Sequence, residues 1–243
     1  MEKSCFLQAL GIQKNDVVCL TGAGGKTSLM FRLAEEAKGR GFKVLVTTST
    51  KIFVPDSAQY DRLDLSGTLF SGAAVRDSGI YVGGLPAPFF GKMTGAALKL
   101  LASRRKFFDL VLIEADGAAA KPLKGWHSTE PVIPLFTTKT IGVVDIQTIG
   151  RIIDAALVHR VEIFTGLTGG KTGDAVTIEH LARVVSHNQG LFTGAQGTEI
   201  LYINKVESAV DRCNVNRLRA KLQAKLKKRH IVAGSVQQET IYG

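Results

Sequence analysis

Residues 17–33 read VVCLTGAGGKTSLMFRL, and this stretch decides the fold. The apolar run Val17, Val18, Cys19 and Leu20 predicts a buried strand. It breaks into Gly22-Ala23-Gly24-Gly25-Lys26-Thr27-Ser28. Beyond the break, Leu29, Met30, Leu33, Ala34 and Ala37 share one helical face, with Arg32, Glu35, Glu36 and Lys38 mostly off it. Strand, glycine turn, Lys-Thr and helix are the layout of a phosphate-binding loop. Glycines let backbone N–H groups turn toward an anion, and the helix N-terminus adds partial positive charge. Lys26 would bring a mobile ammonium to the β- and γ-phosphates of ATP or GTP, and Thr27 would bring a hydroxyl to Mg²⁺. A lysine with that task is expected to face solvent when no ligand is bound.

The pattern is shortened. The full G-x-x-x-x-G-K-[ST] loop has glycine five residues before Gly25, where this chain has Leu20. The remaining T-G-x-x-G-K-T resembles the loop of Mur-type ligases and of some small nucleotide-dependent kinases. A plain strand-to-helix turn is the bland alternative. The amphipathic helix that follows favours phosphate binding.

A second strand is expected at KVLVT (43–47), running into Thr48-Ser49-Thr50-Lys51. Thr48, Thr50 and Lys51 at a strand's C-terminal end stand well to face phosphates or substrate. Hydroxyl-rich strand ends also arise because Ser and Thr make local turns, so both readings stand. LVLIE (110–114) predicts a buried strand that delivers Glu114 to the sheet's carboxyl edge, with Asp116 two residues on. With Thr27, these acids are the candidate Mg²⁺ groups, and with Lys26 the candidate catalytic ones. ILYI (200–203) predicts another strand, ending in Asn204-Lys205-Val206-Glu207. That turn is similar to the N-K-x-D by which GTPases read guanine, but its acid is one methylene longer. The alternative is a simple strand-end turn.

The rest is less specific. Residues 55–95 read as an irregular insertion in a single α/β domain spanning 1–243, with a short strand at 79–82. Lys92 lies in a glycine loop where it could approach a ligand or simply be solvated. A helix is expected over 96–106, and Lys121-Pro122-Leu123-Lys124-Gly125-Trp126 reads as extended. TIGVVD (140–145) and 231–233 read as strands, and 152–158 and 178–185 as helices, the latter capped by Thr177. A second Gly-Gly-Lys-Thr at 169–172 lacks a strand before it and a helix directly after it. It reads as a loop mimic. Residues 216–229 predict a helix packed by Leu218, Leu222 and Leu226 with a solvated basic face.

At 243 residues and 45% apolar composition the chain can bury a full core. No apolar run approaches the ~18 residues a membrane span needs, and no secretory signal is evident. Three isolated cysteines fit a reducing cytoplasm. The formal charge of +10 suits a polyanionic small molecule. Without aromatic interleaving or a nucleic-acid motif, it argues against nucleic acid as the partner.

Taken in order, LTGAGGKTS (20–28), VTTSTKIF (46–53), GKMTG (91–95), LIEADGAAAKPLKG (112–125), EPVIP (130–134) and INKVE (203–207) resemble one family. It is the accessory proteins of selenium-dependent hydroxylases called YqeC, proposed to act in selenium cofactor biosynthesis. The resemblance implies a P-loop nucleotide-binding protein working beside molybdenum hydroxylases, with such a hydroxylase or a selenium-delivery protein as partner. It also implies Lys121 and Lys124 as basic groups after the acidic strand end. Ser49 departs from the usual threonine, and Val161 stands where proline is expected, at a helix start.

The expected fold is therefore a P-loop NTPase-like three-layer sandwich, α/β, with a mostly parallel sheet and its ligand at the carboxyl edge. The expected function is Mg²⁺-dependent NTP binding and hydrolysis. The alternatives are an ATP-dependent kinase or ligase for a small anion, and a non-catalytic cofactor carrier.

Overall fold

The protein is described here by a computed structural model covering residues 5–88, 91–223 and 230–242. The chain opens with α1 (Phe6–Ala9), β1 (Val17–Gly22), α2 (Lys26–Gly39), β2 (Lys43–Thr48) and β3 (Lys51–Phe53). Short strands follow: β4 (Arg62–Asp64), β5 (Gly79–Gly83), β6 (Leu85–Pro86) and β7 (Lys92–Thr94). Then come α3 (Leu98–Arg104), β8 (Leu110–Glu114), β9 (Leu123–Lys124), β10 (Lys139–Asp145) and β11 (Val158–His159). The remainder is α4 (Val161–Thr168), α5 (Ile178–Ser186), β12 (Thr198–Asn204), α6 (Ala209–Gln223), β13 (His230–Ser235) and β14 (Thr240–Tyr242).

Among the described residues, nine strands form one sheet in the order β14-β13-β12-β10-β1-β8-β2-β5-β4. Every pair is parallel except β13 with β14. A parallel sheet is covered on both faces, which is why its strands read as unbroken apolar runs. Alternation within β1 separates the two faces. Val18 and Leu20 join Leu29, Met30 and Leu33 of α2 on one side. Val17 and Cys19 turn to the other, where Leu101 of α3 packs. Toward the β12 end that second face is covered by α4, α5 and α6, through residues such as Phe164, Leu181 and Leu218. Each such side chain contributes ~1.5–3 kcal/mol on burial. The result is the three-layer α/β sandwich expected of a P-loop NTPase-like fold.

The chain differs from expectation at several points. Residues 152–158, expected helical, form turns, an isolated bridge from Ile152 to Ala175, and the start of β11. Asp154 accepts hydrogen bonds from the N–H groups of Ala156 and Leu157, a local bonding pattern that competes with helix. The helix expected over 216–229 starts earlier, as α6, and residues 224–229 lie outside the described ones. Val215, Leu218 and Leu222 do form its buried row. Within 55–95 the chain adds β4 and β5 to the sheet's edge and builds the small sheet β3-β7-β6. Thr177 caps α5 as expected, and α4 begins at Val161 without proline. The second Gly-Gly-Lys-Thr is a helix end, since Gly169 is the left-handed C-cap of α4. No described helix is long and apolar enough to cross a membrane.

Candidate functional site

The loop after β1 is held open by two glycines. Gly24 and Gly25 have φ of 81° and 121°, and a Cβ on either would come within 2.3 Å of Asp145 Cβ or Asn204 Nδ2 respectively. Helix α2 then begins at Lys26 with no side-chain hydrogen bond at its cap and no acid in its first turn. The first-turn N–H groups have no intrahelical partner at any helix start. Here they border a cavity of about 540 Å³ at the carboxyl edge of β1, β8 and β2. Residues 23–28, Glu114, 117–122, Lys51 to Phe53, Lys92, Arg151 and Lys205 line it.

Lys26 corrects an expectation: it is buried, only 4% exposed, although it still lines the cavity. Its Nζ donates to the Gly22 carbonyl at 2.5 Å and lies 2.9 Å from Asp116 Oδ1 and 3.6 Å from Glu114 Oε1. The cause is electrostatic. Burial disfavours the ammonium, but the charges of Asp116 and Glu114 outweigh it, and the pKa is raised above its ordinary value. The strand-end acids draw the lysine inward.

The two acids differ. Glu114 lines the cavity and accepts a hydrogen bond from Thr27 Oγ1 at 2.7 Å. Asp116 is fully buried and does not line the cavity. It accepts from the Gly22 N–H at 2.9 Å and from Trp126 Nε1 at 2.7 Å, and pairs with Lys26 and with Lys124 at 3.2 Å. Asp116, expected beside Glu114 at the metal, holds the loop after β1 through the Gly22 N–H. Among the described residues no cluster of three or more His, Cys, Asp or Glu side chains stands ready for a metal. A magnesium ion that arrives with phosphates needs only one or two protein ligands, and the Thr27–Glu114 pair fits that demand.

Lys124, which the resemblance implies as a basic group after the acidic strand end and a candidate for substrate binding, is buried. It bonds the Gly117 carbonyl at 2.7 Å and Glu130 Oε2 at 2.9 Å. Glu130 in turn takes two hydrogen bonds from Arg160, at 2.7 and 3.1 Å. Burial alone would raise the Glu130 pKa, but Arg160 and Lys124 take it down from 4.5 to about 2. The unfolded chain therefore takes up this proton first. The group's stabilisation is whole above pH 4.5 and is lost as pH falls toward 2. Glu130→Gln is expected to flatten the loss of stability across that window, by on the order of 3 kcal/mol at most. Denaturant unfolding of both proteins at several pH values measures it, and an unchanged slope rejects the assignment.

Of the other expected groups, Thr48 donates to the Glu114 carbonyl at 2.8 Å, and Thr50 bonds the Thr48 hydroxyl through its N–H. Neither lines the cavity, so these hydroxyls shape the strand end. Lys51, Lys92 and Lys121 do line it. On the other side, Asn204 Nδ2 donates to the Gly24 carbonyl at 2.9 Å, and Lys205 pairs with Asp145 at 2.5 Å. Glu207 accepts from Ser235 and Gln147 and does not line the cavity. Sequence reasoning missed Asp145, whose signal, an apolar strand ending in a carboxylate, equals that of Glu114. Burial raises the Asp145 pKa against the opposing pull of Lys205. It missed Phe53 and Arg151 as lining groups, and Glu130 and Arg160, 30 residues apart, had no local signal.

A family profile described as "YqeC protein" matches residues 18–162. The chain is 32% identical over 211 residues to "Uncharacterized protein YqeC" of Escherichia coli (strain K12), covering 84% of this chain and 82% of that protein. No solved structure matches.

Proposed function

We propose that this chain, which belongs to the YqeC family, binds ATP or GTP at the loop around Lys26 and hydrolyses its terminal phosphate. The observation that carries this reading is the Thr27–Glu114 hydrogen bond beside Lys26, below a helix N-terminus that no side chain caps. Helix-start N–H groups and Lys26 would hold the phosphates. Thr27 and Glu114 would hold Mg²⁺, which neutralises charge on the β- and γ-oxygens when bound. Water attacks the γ-phosphorus, the bond to the bridging oxygen breaks, and the nucleoside diphosphate and inorganic phosphate leave. The chain's contribution is position and charge.

Lys26 can turn to an incoming phosphate without orphaning Asp116. That carboxylate keeps the Gly22 N–H, Trp126 and Lys124 as partners. The family resemblance motivates the wider role: maturation of selenium-dependent molybdenum hydroxylases, with such an enzyme or a selenium-delivery protein as partner. A second reading, favoured by Lys51, Lys92 and Lys121 on the cavity wall, is an ATP-dependent kinase or ligase acting on a small anion.

Purified protein offered Mg-ATP and Mg-GTP tests these readings. Phosphate release without an added acceptor supports hydrolysis, release that needs one supports transfer, and binding without turnover leaves a carrier. Glu114→Gln, which weakens the hold on Mg²⁺ at the transferring phosphate, is expected to lower phosphate release on the order of 100-fold. Failure of the unaltered protein to bind either nucleotide removes the reading.

A further inference from the structure

We infer that the cavity wall formed by β3 and β7 is a second ligand site for a small planar aromatic anion, bound beside the nucleotide's terminal phosphate. The inference rests on the phosphate-loop reading and deepens it. Sheet order supplies the placement. β10 and β12 flank β1 on one side and bring Asp145, Asn204 and Lys205 to the loop. β8 and β2 lie on the other, and β2 leads through Ser49 and Thr50 into β3. The two walls of the cavity thus come from opposite sides of the phosphate loop.

Alternation along β3 sets what the second wall presents. Ile52 turns into the core at 6% exposure, so its neighbours Lys51 and Phe53 share the outward face. Phe53 is 64% exposed, the one aromatic among the exposed large apolar side chains described. Lys92 is its register partner on β7, with Nζ 4.8 Å from the ring centroid. The Lys92 ammonium lies over one face of this exposed ring, so a flat ligand would meet the ring by its other face or its edge, with the ammonium close by for its anionic group.

Charge points the same way. Among the described residues the cavity is lined by six cationic side chains and a single carboxylate, Glu114. Lys26 is engaged by Asp116 and Glu114, and Lys205 by Asp145. Lys51, Lys92 and Lys121 lie beyond the groups the nucleotide reading uses, with Lys121 Nζ donating to the Ala155 carbonyl and Lys92 placed over the Phe53 ring. At about 540 Å³ the cavity is within the range of small-molecule sites, with room for a triphosphate tail and a compact second ligand.

The test uses 1-naphthyl phosphate as the probe and inorganic phosphate as its non-aromatic control. Each is titrated against the full chain with and without a non-hydrolysable ATP analogue, whose own affinity is measured first. The site predicts naphthyl phosphate binding that persists with the analogue bound and exceeds that of phosphate. It also predicts about tenfold weakening by Phe53→Ala and, separately, by Lys92→Ala, with analogue affinity unchanged in Phe53→Ala. Equal probe binding by the unaltered protein and Phe53→Ala overturns the inference. So does competition between probe and analogue. Loss of analogue affinity in Phe53→Ala would assign the ring to the nucleotide base and overturn it too. If the analogue does not bind the unaltered protein, the phosphate-loop reading fails by itself, and the comparison of probe binding with Phe53→Ala still decides the second site.

Discussion

Lys26→Ala is expected to weaken Mg-ATP or Mg-GTP binding by about 100-fold and to destabilise the empty protein by ~3 kcal/mol. The first effect follows from losing a charge-assisted hydrogen bond at the phosphates. The second follows from the buried position of the side chain between Asp116 and Glu114. Removing one partner from a buried cluster leaves the others short of counter-charge. Lys26→Met keeps most of the volume and loses the charge, so it should reproduce both effects if electrostatics governs them. Because the pKa of Lys26 is raised, its stabilising part is present at every pH below the ordinary value of 10.5. It is lost only as pH rises through the raised value. Calorimetric titration and denaturant unfolding at neutral pH read both quantities. Unchanged affinity would end the phosphate assignment, and unchanged stability would contradict the buried geometry.

Asp116→Ala should cost more stability than any other single change at the site, about 3–5 kcal/mol. It orphans the Gly22 N–H, the Trp126 indole, Lys26 and Lys124 in one step. In a chain of this size that corresponds to a fall in Tm on the order of 10 °C. Asp116→Asn keeps an acceptor oxygen and should fall between the two. A Tm within about 2 °C of the unaltered protein would mean that the carboxylate does not organise these groups.

The strands of the central sheet, and with them the glycine turn after β1, were legible because parallel strands are buried on both faces, so each reads as a bounded apolar run. Glu114 was legible for the same reason: a carboxylate that ends such a run must emerge at the sheet's edge. Asp145 carried an equal signal and was passed over because no motif led to it. What could not be read was pairing at a distance. That Lys26 turns inward depends on Asp116 lying beside it, 90 residues further along the chain. That Lys124 serves Asp116 and Glu130, and not a ligand, depends on a loop whose path no periodicity encodes. Asn204, suggested by motif to sit near a base, fastens the loop after β1 through the Gly24 carbonyl. Residues 152–158 had helical spacing, but the Asp154 carboxylate captured their backbone amides first.

Trp126 is the chain's single tryptophan, and its indole N–H ends on the same carboxylate that Lys26 holds. On the proposed reading, an ammonium that swings away to a phosphate would change the local electric field at Asp116, and the indole's emission is expected to shift with it. Tryptophan fluorescence on the unlabelled, unmutated chain would then report occupancy directly, and emission that does not move on titration with nucleotide would count against the swing.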